Sequence, residues 1–410
     1  MNTNLFSNHK FEALLFLLLY FSLIIGFAYD ENALGGSMGD YINQKRISAK
    51  FANNFYETFL NYNKETSRHS PILIILFSFF EKFKINDFTI RLFNIHFMLL
   101  IIYFFYKSLK LKINYLDKNK ILLISLVIFL SPTFRSLSIW PDSRLYGVLF
   151  FIVSIIFFFK FENSKKYIDK YKNSILNIFF LAVSSYFSPN FFLFYFFFIY
   201  FFLKSLKFNE ILIILIFSFF IALPAIYYVF ILKIFFFLTP VTENTQTVLS
   251  FNIANKIIII SSMFFFYYLP FLSVTNKNFN FGAKNLLISL SIIGISIFFF
   301  NYKSSFTGGG IIFKASNILF KNNYLLYLFS FAGLILLLTM SNKNPRNLAL
   351  ILLLVTQNPQ LEIYHKYYDP ILFILFFTLF DIEFNKKLLK KKVFIFYLFY
   401  IFFLIANFYR

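Results

Sequence analysis

Apolar runs of near-spanning length follow one another along most of the chain, separated by short polar turns. The runs are continuous rather than alternating. That pattern predicts membrane helices and argues against a closed barrel. The first run covers about residues 11–28. A long polar segment follows, from Tyr29 to Ser70. Within it, Asp40 precedes Tyr41 to Leu60, a stretch of mixed polarity with few breakers. Asp is a good N-cap, so a helix lying on the membrane surface is predicted there. Pro71 opens Ile72 to Phe80, too short to cross a bilayer that needs about 20 apolar residues. It reads as a second interfacial or re-entrant helix, ended by Glu81, Lys82 and Lys84. Further spans are predicted at about 88–106, 121–134, 145–160, 174–187, 191–203 and 210–236, the last kinked at Pro224. The remainder fall at about 256–274, 285–300, 323–340, 347–356, 370–380 and 393–408.

The expected fold is an all-α polytopic bundle of about 11–13 transmembrane helices forming one transmembrane domain over residues 1–410. Residues 29–87 form its first outer loop with surface helices, 88–160 carry spans two to four, and 174–410 carry the rest. Neither a soluble domain nor a cleavable signal is expected.

Composition agrees with this pattern: 59% of residues are hydrophobic and only 14% charged, against about 25% in soluble domains. The mean hydropathy is +0.70. A net charge of +21 would suit nucleic acid, but the lysines sit in short loops between spans. Lys107 to Lys120, Lys160 to Lys172 and Lys386 to Lys392 are the densest groups. The positive-inside rule places such loops in the cytoplasm, so no nucleic-acid partner is inferred. Alternation from a cytoplasmic N-terminus then collects Asp40, Asp142, Gly308-Gly309-Gly310 and Tyr364 to Asp369 on the outer face. The chain has no Cys, which excludes disulfides and thiolate chemistry.

A chain this apolar has few places for carboxylates, and the first polar segment holds Asp30, Glu31, Asp40, Glu57 and Glu65. It reads as the water-facing half of an active site. The order of features is informative. A first span precedes a loop with an acidic residue, and a His-containing turn before Pro71 leads into a short helix. Arg91-Leu92 then enters the second span, Ser131-Pro132 leaves the third, and Pro141-Asp142 opens the fourth.

In this order and spacing the chain resembles the polytopic GT-C glycosyltransferases, the group that includes protein O-mannosyltransferases and aminoarabinose transferases. The match is best over residues 11–160. The resemblance implies a first-loop carboxylate as the catalytic residue. Asp40 has the better spacing to Pro71, whereas Asp30-Glu31 supplies the Asp-Glu dipeptide of some members; Asp40 is favoured. It further implies a polyprenyl-phosphate sugar donor, with transfer on the periplasmic face of a bacterial inner membrane. A base that activates the acceptor hydroxyl for direct displacement inverts the anomeric carbon. The departing lipid phosphate calls for cations, and Arg68, His69, Arg91, Arg144, His365 and Lys366 are the candidates, with Tyr367 beside them. Ser70 stands where many members have a second Pro.

Asp142 is the second family-like carboxylate; it could bind acceptor, pair with Arg144, or share a divalent cation (Mg or Mn) with Asp40. Tyr364 to Asp369 reads as an interfacial belt or a donor-phosphate grip, and the triple glycine as a loop tip or a phosphate approach. The expected acceptor is a lipid-linked or cell-envelope glycan. The alternatives are a polysaccharide or lipid flippase or other transporter, or an O-antigen polymerase or ligase. Transporters often show internal repeats and mid-span charges, which are not evident here.

Overall fold

The structure, a computed structural model, describes residues 10–33, 36–65, 67, 69–235, 252–275, 282–305, 308–342, 344–358 and 360–408. It is about 80% helical, with an isolated antiparallel bridge between Thr275 and Phe384. Arg68 and the last residue of the 210–236 span lie outside the described residues. The chain forms two compact units, Met1–Thr239 with Val393–Arg410, and Pro240–Lys392.

In the first unit, α1 (Lys10–Ala28) is followed by α2 (Ser37–Asn53), α3 (Phe55–Leu60) and α4 (Pro71–Lys82). The surface segment is thus two helices where one was expected. Asn54 breaks it, because its side chain accepts from the Glu57 N–H and starts α3 instead of continuing α2. The helix α4 occurs as expected. Ser70 caps it and Pro71 stands where no helical N–H is needed. Phe51, Tyr62, Ile47 and Ile74 form a small core among these helices with Tyr228 and Ile234.

Then come α5 (Asp87–Lys112), α6 (Lys118–Leu126), α7 (Pro132–Ile139), α8 (Ser143–Asn163), α9 (Tyr167–Phe187), α10 (Phe194–Leu203) and α11 (Phe208–Ile226). The third predicted span is broken. Lys118–Leu130 and Pro132–Ile139 meet at 66°, because Pro132 cannot donate to the preceding turn and Ser131 caps a new helix. The Asn94 side-chain amide donates to the Leu137 and Ser138 carbonyls, and the Tyr146 hydroxyl donates to Asn94. At the other end, Asn163 donates to the Leu111 carbonyl, so α5 and α8 run parallel.

The second unit holds α12 (Ile253–Tyr268), α13 (Ala283–Phe298), α14 (Gly310–Phe320), α15 (Tyr324–Ser341), α16 (Pro345–Thr356), α17 (Ile371–Phe377) and α18 (Lys386–Lys391). The last helix, α19 (Phe394–Phe408), returns to the first unit, where the Tyr397 hydroxyl donates to the Leu123 carbonyl. Helix α14 was not anticipated, since the glycines before it read as a loop. Helix α17 is only 7 residues and fully buried, so the span expected at 370–380 is a core element.

Among the described residues, six helices are long and apolar enough to cross a membrane, or seven if the bent pair counts as one span. This is the architecture of a polytopic all-α membrane protein. The expected 11–13 spans exceed that number mainly for a reason of length; α9 is long enough at 21 residues but opens on the polar run Asp169, Lys170, Lys172 and Asn173. The apolar helices at 189–203, 283–298, 310–320, 345–356 and 394–408 have 10–17 residues each and fall below a full crossing.

Helices α12 and α15 are held close by Gly333. A Cβ there would lie 2.0 Å from the Ser261 carbonyl oxygen, whereas one at Gly294 of α13 would meet nothing within 4 Å. Gly333→Ala should therefore cost about 1–3 kcal/mol through overpacking, read as a lower thermal unfolding temperature of the detergent-solubilised protein. Gly294→Ala should leave it unchanged or raise it slightly.

Candidate active site

The end of α1 is a built corner. Asp30 takes a left-handed conformation (φ 52°), the Glu31 N–H bonds to the Gly26 carbonyl at 2.7 Å and the Asp30 N–H to Phe27 at 3.2 Å. These two bonds make a Schellman cap, and Asp is one of the few non-glycine residues that enters this region readily. The corner aims two adjacent carboxylates at two arginines. Asp30 meets Arg91 at 2.6 Å. Glu31 receives two N–H bonds from Arg135, at 2.7 and 2.5 Å. The pair is bidentate, with both side chains at least 95% buried.

Arg91 is further fixed by the Ile139 carbonyl at 3.1 Å and lies 3.6 Å over the Trp140 ring. Trp140 donates its indole N–H to the Glu31 carbonyl at 3.0 Å. Asp30, Glu31 and Arg91, all expected to face substrate, thus form a clamp joining α1, α5 and α7. Arg135 is the partner that sequence reasoning passed over. Its signal was a charge at the very end of an apolar run, which in a membrane calls for a specific partner.

A second cluster forms from three segments distant in sequence. One ligand atom each of Asp40, His69 and Asp142 lies within 4.8 Å of the other two. Asp142 is 2% exposed and caps α8, accepting the Arg144 N–H at 2.7 Å. His69 Nδ1 stands 4.0 Å from the other Asp142 oxygen and 3.4 Å from the Ser143 hydroxyl. The turn carrying His69 is pinned on both sides. The Tyr62 hydroxyl donates to the His69 carbonyl at 2.8 Å, and the Ser70 hydroxyl donates to the Tyr186 carbonyl.

Asp40 is not the N-cap expected for it. Gly36, in the left-handed region at φ 85°, starts α2 four residues earlier and places Asp40 in the first turn. A carboxylate there is favoured by the helix dipole. Tyr41 follows and donates to Asp87 at 2.6 Å, while Lys45 bridges to Glu81 at 2.7 Å, locking α2 onto α4 and α5. Arg144 is buried, reaches the Ser188 hydroxyl at 3.4 Å and lies 5.8 Å from the Phe191 ring centroid.

This donor set fits a divalent cation. Two oxygens and one imidazole nitrogen suit Mg, Mn or Zn. Two ligands of one ion, each about 2.1–2.4 Å away, stand at most about 4.8 Å apart, and no two of the three ligand atoms here exceed that separation.

His365, Lys366 and Tyr367 belong to the second unit. There the Tyr267 hydroxyl bonds to His365 Nε2, and the Lys366 ammonium lies 6.0 Å from the Tyr364 ring centroid. His365 is half-buried, but protein surrounds its ring, and that desolvation pushes its pKa down to about 3. Desolvation thus disfavours the protonated form, the one that could serve as a cation. The glycine loop is likewise occupied. Gly308 N–H bonds to Glu362 at 2.5 Å and Gly309 N–H to the Ile363 carbonyl at 2.8 Å, so neither donor faces a phosphate. Glu362 is fully buried and also receives the Tyr364 hydroxyl at 2.8 Å. Nothing in the periodicity around it marked this residue out.

The purified protein should bind one Mn²⁺ per chain, read by the loss of the free-ion electron paramagnetic resonance signal. Asp142→Asn and His69→Ala should each weaken that binding at least tenfold, and Asp30→Asn should not. The neutral His365 gives a pH dependence with a definite sign. Its folded-state pKa lies below the unfolded value of about 6.5. The unfolded chain therefore binds the proton first, and stability falls as pH drops through about 6.5 towards 3. Unfolding temperatures measured from pH 7.5 to 5 should fall less steeply in His365→Gln than in the wild type.

Comparison with protein-family models, with curated proteins and with solved structures finds no match to this chain.

Proposed function

We propose that this chain is an inverting membrane glycosyltransferase that moves a sugar from a polyprenyl-phosphate donor to a lipid-linked or cell-envelope glycan. The single observation that carries the reading is the meeting of Asp40, His69 and Asp142, beside a buried Arg144, in a protein otherwise made of apolar helices. Charged groups are expensive in such a setting and persist where they have work to do.

Asp40 is the general base in this reading. It is half-exposed on the first turn of α2, so an acceptor hydroxyl can reach it. As the acceptor oxygen attacks the anomeric carbon, its proton passes to the Asp40 carboxylate and the C–O bond to the lipid phosphate breaks. Asp142 and His69 orient the polar groups around that carbon. Arg144 offers positive charge to the leaving phosphate. A divalent cation held by Asp40, His69 and Asp142 would supply further stabilisation of that anion. Asp30 is the weaker candidate for base because it does not belong to the group formed by Asp40, His69 and Asp142 and pairs instead with Arg91 at 2.6 Å. The ordered turns over residues 11–160 resemble those of the GT-C glycosyltransferases, and that resemblance supports the same donor class and a site on the outer membrane face.

Transfer of radiolabel from polyprenyl-phosphate sugars in membranes tests this. Asp40→Asn should lower the rate by about 10²–10⁴. Asp30→Asn should keep the rate within a few-fold while lowering stability. Full activity in Asp40→Asn would remove it as the base. Failure to consume any polyprenyl-phosphate sugar would overturn the function itself.

A further inference from the structure

A groove of about 780 Å³ lies along α5, α8 and α9, at the opposite end of the parallel α5–α8 pair from Arg91 and Asp142. Its size falls in the range of ligand pockets. On α5 it is lined by Phe97, Leu100, Phe104, Lys107 and Leu111. That spacing of three and four residues marks one helix face. Leu149, Val153, Ile156 and Lys160 repeat the pattern on α8. The wall towards α9 is Phe157 stacked on Phe180, with ring centroids 5.3 Å apart and planes 3° from parallel.

Both stripes are apolar for most of their length, and both carry lysine towards the C-terminal end of their helix, Lys107 and Lys110 on α5 and Lys160 on α8. Lys107, Lys110 and Lys160 all line the groove, and all three are exposed. Among the described residues none of them makes an ion pair with a carboxylate. Lys107 and Lys160 lie 5.2 and 4.7 Å from the Tyr103 and Phe157 ring centroids. From Phe97 to Leu111 the α5 face rises about 21 Å at 1.5 Å per residue. That exceeds one leaflet of hydrocarbon, about 15 Å as half of a 30 Å core. The groove can therefore take an acyl chain along its length and an anionic head at its lysine end.

We infer that this groove is a binding site for an anionic phospholipid of the surrounding membrane, its acyl chain along α5 and α8 and its phosphate at Lys107, Lys110 and Lys160. The occupant follows from charge complementarity: a zwitterionic lipid presents no net charge to three lysines, whereas a phosphatidylglycerol head presents one negative charge. Basic pockets between membrane helices bind anionic heads in this way. The site is separate from the proposed sugar transfer and does not depend on it.

Native mass spectrometry of the purified full-length protein, titrated with phosphatidylglycerol or phosphatidylcholine of identical chains, tests the inference. A single phosphatidylglycerol adduct should persist where phosphatidylcholine is lost. Each Lys→Gln change at 107, 110 or 160 should weaken it about fivefold. The triple Lys→Arg variant should retain it, which separates loss of charge from loss of fold. Val153→Trp should fill the groove and abolish the adduct while the lysines remain. Equal retention of the two lipids, or an undiminished adduct in the triple Lys→Gln variant, would overturn the site. Displacement of phosphatidylglycerol by substoichiometric polyprenyl phosphate would overturn the choice of occupant.

Discussion

The structure depends on the need to neutralise charge where water is scarce. Glu31 and Arg135 are both almost wholly removed from solvent and are joined by two short N–H···O bonds. Removing either partner of such a pair leaves a buried charge alone, at a cost of about 3–5 kcal/mol. The geometry is correspondingly specific. A Cβ on Gly26 would come within 2.1 Å of a Glu31 oxygen, so glycine is needed for the carboxylate to settle against the helix end. Ser22 adds its hydroxyl and carbonyl to the guanidinium, at 3.0 and 2.9 Å.

From this pair the arrangement propagates along the chain. Arg135 lies in α7, which ends at Ile139, and Trp140 is tied to the Glu31 backbone. Arg91 of α5 rests on the same indole and closes on Asp30. Once Trp140 is fixed, Pro141 and Asp142 follow with little freedom, and Asp142 starts α8 at a set position. The carboxylate of the candidate site is thus positioned by a second acid–base assembly next to it. Two neighbouring groups of acids serve different ends: Asp30 and Glu31 hold helices together, while Asp40 and Asp142 face a histidine.

The second unit solves the same problem with neutral groups. Glu362 is met by a backbone N–H and a tyrosine hydroxyl, and His365 by a tyrosine. The glycines at 308–310 allow this. A Cβ on Gly308 would lie 2.6 Å from the Ile363 carbonyl, and Gly309 and Gly310 both adopt positive φ. Their function in the structure is close backbone approach, which explains why a segment that resembles a loose loop opens a helix instead.

The sequence by itself determined the class of solvent and most of the helices. A chain with 59% hydrophobic residues in continuous runs must satisfy its backbone internally, and caps such as Ser70, Asn86 and Asp142 mark helix starts through local bonds alone. The candidate acids Asp40 and Asp142 were also legible, because carboxylates are rare in so apolar a chain. Three things were decided only by tertiary structure. The length of each crossing depended on bends such as that at Ser131. The roles of Asp30, Glu31 and Arg91 depended on which partners came within 3 Å of them, a long-range matter that spacing does not encode. The downward push on the His365 pKa depended on how much water its neighbours excluded, since desolvation is a property of packing and not of the residue.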